Sequence, residues 1–246
     1  MPNSRSSRVR FEPGPRPASA DVAPADDLAR LVLNHDALLW PDAYTMLLQA
    51  KDRPGFQALI GTGWPRRTHG LDVVRDNDWL FDEFTRLMDQ LYTAPSGDLI
   101  GLRRGRVLEV VASTVVLDKY PGNPAHLKAE GDVLVFVDNV AQSVPGAQRL
   151  DVCVWANCVE MGEFYDCKAS KSALDSPELH LLLLLDRVLH DPVRGNRPRI
   201  GIISYDHARV IKRRIRELTD RAELIDAFGP NDVFAGLRQR RVCVCR

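Results

Sequence analysis

The 246-residue chain has no membrane-length apolar run: its longest leucine stretch, Leu181–Leu185, falls far short of the ~18 residues that cross a bilayer. Its opening, MPNSRSSRVRFEPGPRPASADVAPADD, holds no apolar core of the kind a secretory signal needs. Cysteine is scarce and odd in number. The five thiols, Cys153, Cys158, Cys167, Cys243 and Cys245, lack paired C-x2-C spacing and a histidine at a matching interval. Zinc is therefore not expected, and a reducing cytoplasm suits such a set better than a disulfide framework. No Gly-Lys-Ser/Thr follows Gly61 and Gly63, so the glycines of GTGW make no phosphate loop. G-x-S-x-G, H-E-x-x-H and a dinucleotide fingerprint are also missing.

Net charge is zero, but it is unevenly spread. Residues 26–98 carry 12 acidic and 7 basic side chains, whereas residues 193–246 carry 6 acidic and 13 basic ones. A basic C-terminal region suits a polyanion. Lysine is rare, 6 against 27 arginines; arginine suits bidentate phosphate contacts, but codon bias gives the same excess and is the preferred reading.

Hydrophobic patterning divides the chain into three zones. Residues 1–25 are rich in Pro, Ser and Arg and read as a disordered arm. Residues 26–95 read as helical. DDLARLVLNHDALLW and NDWLFDEFTRLMDQLY have apolar residues at helical spacing, and Pro41 suits a first helical turn. Residues 96–246 give a long helix (GDLIGLRRGRVLEVVASTVVLDKY) and strands at GDVLVFVDNV, RLDVCVWAN and EFYDCKAS. A helix opened by Ser176 and Pro177, a strand at RIGIISY and a basic helix at DHARVIKRRIREL follow, with VFAGLRQRRVCVCR as a short last strand.

EFYDCKAS raises the chemical question. Alternation along a strand puts Asp166 and Lys168 on one face and turns Cys167 away, so a thiol nucleophile in that cluster is disfavoured. Composition alone gives about one acid-x-Lys triplet per chain of this kind, so the context decides. A charge in an apolar strand is costly unless paired or bound to a metal. Asp151 lies on the preceding strand and can come alongside Asp166, with Asp138 as the substitute should the strand assignment be off. Glu109 sits within the apolar run RVLEVVAS of the long helix. Such a set of oxygens suits Mg²⁺, while a plain ion pair between Lys168 and Asp151 or Asp166 is the bland alternative.

In residue order and spacing the segment 99–205 resembles the PD-(D/E)XK nuclease superfamily. RVLEVV matches the helix with its first acid, LDVCVW the strand with its aspartate, and EFYDCKAS the (D/E)-x-K strand. Leu150 stands where the name-giving proline would be. The resemblance implies an α/β fold with a restriction-endonuclease-like α-β-β-β-α-β core at residues 96–246, extended at its N-terminus by helices. It implies metal-dependent hydrolysis of phosphodiester bonds, in DNA ahead of RNA, with no membrane partner; a homodimer is compatible with it. Mg²⁺, or Mn²⁺ in its place, would be held by Asp151, Asp166 and the backbone carbonyl of Cys167, with Glu109 completing the shell. Lys168 would stabilise the transition state, making Lys168, Asp166, Asp151 and Glu109 the catalytic set. Arg209, Lys212, Arg213 and Arg216, opposite the apolar stripe of the last helix, would grip nucleic acid, with Arg103, Arg104 and Arg106 as the reserve. The alternative is a non-catalytic binding module of the same fold.

Overall fold

The computed structural model describes residues 8–15, 17–120 and 126–237. The chain divides into two compact units. One is residues 17–111; the other draws on the chain before residue 17 and after residue 111. Elements follow in the order β1 (Val9–Pro13), α1 (Ser19–Asn34), α2 (Asp36–Gln49), α3 (Arg53–Gly61), α4 (Arg66–His69), α5 (Leu71–Asp76), α6 (Asp78–Tyr92), α7 (Gly97–Leu117), β2 (His126–Val137), β3 (Val140–Ala141), β4 (Leu150–Ala156), β5 (Met161–Lys168), α8 (Ser176–Leu189), β6 (Arg199–Ser204), α9 (Ala208–Leu218), β7 (Ile225–Phe228) and α10 (Pro230–Val233).

The helical unit forms as its periodicity dictates. Leu80, Phe84, Leu87 and Leu91 make the buried stripe of α6, which leaves Trp79 exposed. The Asp52 side chain caps α3 by accepting from the Gly55 amide at 2.8 Å, with Pro54 in the first turn. Arg103 donates to the carbonyls of Asp21, Gln90, Leu91 and Thr93, and Arg104 to that of Leu47. Arg106 pairs with Asp26 at 2.8 Å. These three arginines hold helices together, so the reserve nucleic-acid set does not stand free.

The sheet unit is a mixed α/β structure. Its strands run in the order β1-β2-β4-β5-β6-β7, with β3 folded back on β2. The β1–β2, β2–β4 and β4–β5 pairs are antiparallel; β5–β6 and β6–β7 are parallel. One face carries Cys153, Trp155, Phe164, Ile200 and Ile202, which pack with Leu179, Leu182 and Leu185 of α8 and with Ile211 and Ile215 of α9. The Asp138–Asn139 turn between β2 and β3 has φ near +50° and +65°, the backbone that a two-residue hairpin requires.

Four expectations are corrected. Among its described residues the first zone is not a disordered arm: Val9–Pro13 pairs with Val137–Val133 as β1, and Val9 is fully buried. Helix begins at Ser19, earlier than residue 26, and the compact helical unit extends past 95 to Val111. The cap of α8 is Asp175, one residue before Ser176. Near the C-terminus Val233 ends a helical turn and residues 234–237 are turn rather than strand, while β7 at 225–228 supplies a strand that the sequence did not announce; residues 238–246 of the expected last strand lie outside the described residues. Among the described residues no helix is long and apolar enough to cross a membrane.

Candidate active site

Register places the two aspartates. Val152 pairs with Tyr165 across β4 and β5, so the next cross-strand pair is Asp151 with Asp166. Glu130 pairs with Val152 and Val133 with Leu150, so Gly131 and Asp132 of β2 together oppose Asp151. This is a β-bulge, with φ of +70° and +54° at its two residues. A bulge bends its strand and re-aims nearby side chains, and here it flanks the start of β4. Along the shared face the rows run from apolar to charged. Cys153, Phe164 and Ile200 form one row; Asp151, Asp166 and Ile202 form the next; Lys168 and Ser204 close it at the end of β5.

The charged groups touch. Asp151 Oδ2 accepts from the Cys167 amide at 2.6 Å, which ties β4 to the backbone between Asp166 and Lys168. The two aspartate carboxyls are near enough for each to act on the other's charge. Lys168 Nζ stands 3.1 Å from Asp166 Oδ2, an ion pair without hydrogen-bond alignment. It donates instead to Glu178 Oε1 at 3.0 Å. Glu178 is in the first turn of α8, where a carboxylate is favoured by the helix dipole. Asp166 Oδ2 and Glu178 Oε2 are buried, and neither has a hydrogen-bond donor among the described residues.

Burial pushes the Asp166 carboxyl well above the usual carboxylate range, and the charge of Asp151 adds to the push while Lys168 opposes it. Burial raises Asp151 too, against the Cys167 amide and Lys168. Burial by itself would lower Lys168; Asp166 and Glu178 outweigh it and raise the lysine above its ordinary value. The cluster is thus short of positive charge. Two opposed, desolvated aspartates fit a small divalent cation. Among the described residues no group of three or more His, Cys, Asp and Glu side chains is arranged to hold a metal, so the protein's offer is this aspartate pair with backbone.

A carboxyl that holds its proton more tightly when folded costs stability as pH climbs from about 4 through the folded value, because the unfolded chain releases the proton first. Asp166→Asn should therefore melt higher than the parent in EDTA near pH 7.5, by several degrees at ~2–4 °C per kcal/mol for a chain of this size. The gain should shrink as pH falls toward ~4. Thermal melts across that range check it. A variant that melts lower than the parent at neutral pH would mark Asp166 as a net stabilising partner of Lys168.

Of the other expected residues, Glu109 lies on α7 in the helical unit, 3.6 Å from Arg106 at helical i,i+3 spacing. Asp138 is exposed in the β2–β3 turn and pairs with Arg8 at 3.1 Å, so the aspartate that faces Asp166 is Asp151. On α9, Arg209, Arg213 and Arg216 are exposed. Lys212 is not part of that face: its Nζ donates to the carbonyls of Ala222 and Ile225, which pins the loop before β7. Cys153 and Cys167 lie outside any disulfide, whereas Cys158 is disulfide-bonded, a departure from the fully reduced set expected. Sequence reasoning missed Glu178. Its signal was an acid in the first turn of the helix that follows the (D/E)-x-K strand.

The mixed sheet with helices on its faces makes this an α/β protein. No family model matches the chain, and no curated protein matches it. Among solved structures it is similar to protein VC1899 from Vibrio cholerae, at a TM-score of 0.43 and 15% identity over 94% of this chain and 57% of that one. The chain thus spans little more than half the length of that protein.

Proposed function

We propose that the sheet unit is a metal-dependent nuclease of the PD-(D/E)XK type with a restriction-endonuclease-like core. The observation that carries this is the direct opposition of Asp151 and Asp166 on neighbouring strands, with Lys168 on the same face. The succession α7-β2-β4-β5-α8-β6, with β3 as a short addition, supports it. Mg²⁺, or Mn²⁺, would be held by Asp151, Asp166 and the Cys167 carbonyl, and would supply Lewis acidity and counter-charge at a phosphodiester. Lys168 presents a fixed ammonium where negative charge develops on the phosphate. The apolar rows beneath, from Cys153 to Ile202, keep water out and hold the carboxylates still.

The test is cleavage of plasmid, single-stranded DNA and RNA with Mg²⁺, with Mn²⁺ and with EDTA. Nicking that EDTA abolishes is the expected result. Binding of nucleic acid without cleavage in either metal would leave a non-catalytic module of the same fold. Asp151→Asn should abolish the nicking while leaving the protein folded.

The exposed arginines of α9 are the proposed grip on the backbone. Reversing Arg209, Arg213 and Arg216 to glutamate should weaken duplex binding across all sequences. Each lost phosphate contact should flatten the log–log salt slope by ~0.9, so the triple variant by roughly 2–3. Ile211 and Ile215, the buried side of α9, are untouched, so folding should survive. Fluorescence anisotropy over a salt series reads the outcome; an unchanged slope would make this helix a solvated face.

A further inference from the structure

The structure holds a fourth charged side chain that the chemistry above does not use. Glu178 comes from α8, not from the sheet, and among the described residues its Oε1 takes the one aligned hydrogen bond of the Lys168 ammonium. The lysine's other neighbour, Asp166 Oδ2, is as close, 3.1 Å against 3.0 Å, but out of alignment. A lysine is a point charge on a four-carbon stem with many rotamers, so it needs an anchor if its ammonium is to stand at one place. Asp166 is a poor anchor, because the same carboxylate is the one offered to the cation. An acid on a separate element has no such conflict. The helix that carries Glu178 is itself fixed, since Leu179 and Leu182 beside it are fully buried against the sheet.

We propose that Glu178 is the positioning residue for Lys168, holding the ammonium over the phosphate site while Asp166 serves the metal. The role presupposes the nuclease chemistry proposed above. It differs from that of a metal ligand: Oε1 is committed to Lys168, and the role asks nothing of Oε2. Hydrogen-bond reach, not charge, is then what the site requires of this side chain.

That distinction is testable on the full chain with plasmid DNA as substrate and Mn²⁺ binding followed by calorimetry. Glu178→Gln keeps an acceptor oxygen in place and should stay within about threefold of the parent kcat. Glu178→Asp keeps the charge but is one methylene too short, and should lose about tenfold or more in kcat, as should Glu178→Ala. KM for DNA and the Mn²⁺ affinity should stay within about twofold in all three, because neither substrate binding nor the aspartate pair is altered. In the Lys168→Met background, Glu178→Ala should cost nothing further, since the group it positions is gone. Three results would overturn the role while leaving the nuclease standing: parent kcat in Glu178→Asp, a tenfold loss of Mn²⁺ affinity in Glu178→Gln, or full additivity with Lys168→Met. A parent that neither cleaves nor binds Mn²⁺ overturns the nuclease and this role together. Glu178→Gln and Glu178→Asp differ little in volume, so the comparison holds even where Glu178→Ala fails to fold.

Discussion

Lys168→Met should lower the rate of metal-dependent cleavage by about 10³-fold with little change in KM for DNA, the pattern expected when a positively charged group acts on the transition state alone. Methionine is close to lysine in length, so the space at the end of β5 stays filled. The ammonium that stands 3.1 Å from Asp166 and 3.0 Å from Glu178 is lost, and three carboxyl groups are left facing one another. Two consequences should be separable. The chemical step fails, measured by single-turnover cleavage at saturating Mg²⁺. The metal-free protein also becomes less stable toward neutral pH, because buried carboxylates without a cation are penalised as they ionise. Metal should restore part of that stability without restoring the rate. Near-parental cleavage by the folded variant would show that the lysine is a structural ion-pair partner.

The second large effect lies on the other face of the same strand. Glu163 should be indispensable to stability and nearly irrelevant to chemistry. Its carboxylate accepts from Lys119 Nζ at 2.6 Å, Tyr120 OH at 2.5 Å and Tyr165 OH at 2.6 Å. All four residues are buried. Burial drives the Lys119 ammonium toward a lower pKa, and the charge of Glu163 is what opposes it. Burial also pushes the Tyr165 phenol well above its ordinary value, with Glu163 adding to the push, so that phenol remains a donor. Glu163→Ala strands the lysine and two hydroxyls together. Breaking one side of a buried pair costs about 3–5 kcal/mol, which for this size of chain lowers the melting point by roughly 10 °C. Removing the charge from both sides, with Lys119→Met added to Glu163→Leu, should recover much of the loss. Glu163 and Asp166 leave β5 on opposite faces, so the folded fraction of Glu163→Ala should cleave at the parental rate. A fall in specific activity at low temperature, where the variant is folded, would tie the two faces together.

Much of the sheet unit was legible because β4, β5, β6 and α8 are apolar enough for their period to show. Asp166 and Lys168 stood out for the same reason, as charges where the pattern called for none. β1 was illegible: VRFEP is five residues long within a stretch of Pro, Ser and Arg, and what makes it a strand is the unpaired edge of β2, a partner about 120 positions away. β7 was missed likewise, since Ile225–Phe228 is too short to show alternation beside α9. Lys212 reads as a surface cation on any helical wheel; only the carbonyls that α9 meets beyond its end reveal it as a tether. Glu178 was hidden by being ordinary. An acid in a first helical turn explains itself through the dipole, and nothing local marks it as the partner of a lysine ten residues earlier.

The pairing of Val9–Pro13 with Val137–Val133 has a consequence for synthesis. During translation β1 leaves the ribosome long before its partner exists, and at about 5–20 residues per second the wait is on the order of ten seconds. Throughout that interval the helical residues 17–111 can organise, while the short strand stays solvated and harmless because only Val9 and Phe11 among its five residues are large and apolar. The nascent β2 emerges afterwards and draws that solvated segment onto its open edge as β1. A shortened protein begun at Pro17 would keep every residue of the charged cluster yet present β2 with an open row of amides and carbonyls. Such a version should express as aggregates or as paired copies, with its chemistry intact in whatever remains dispersed.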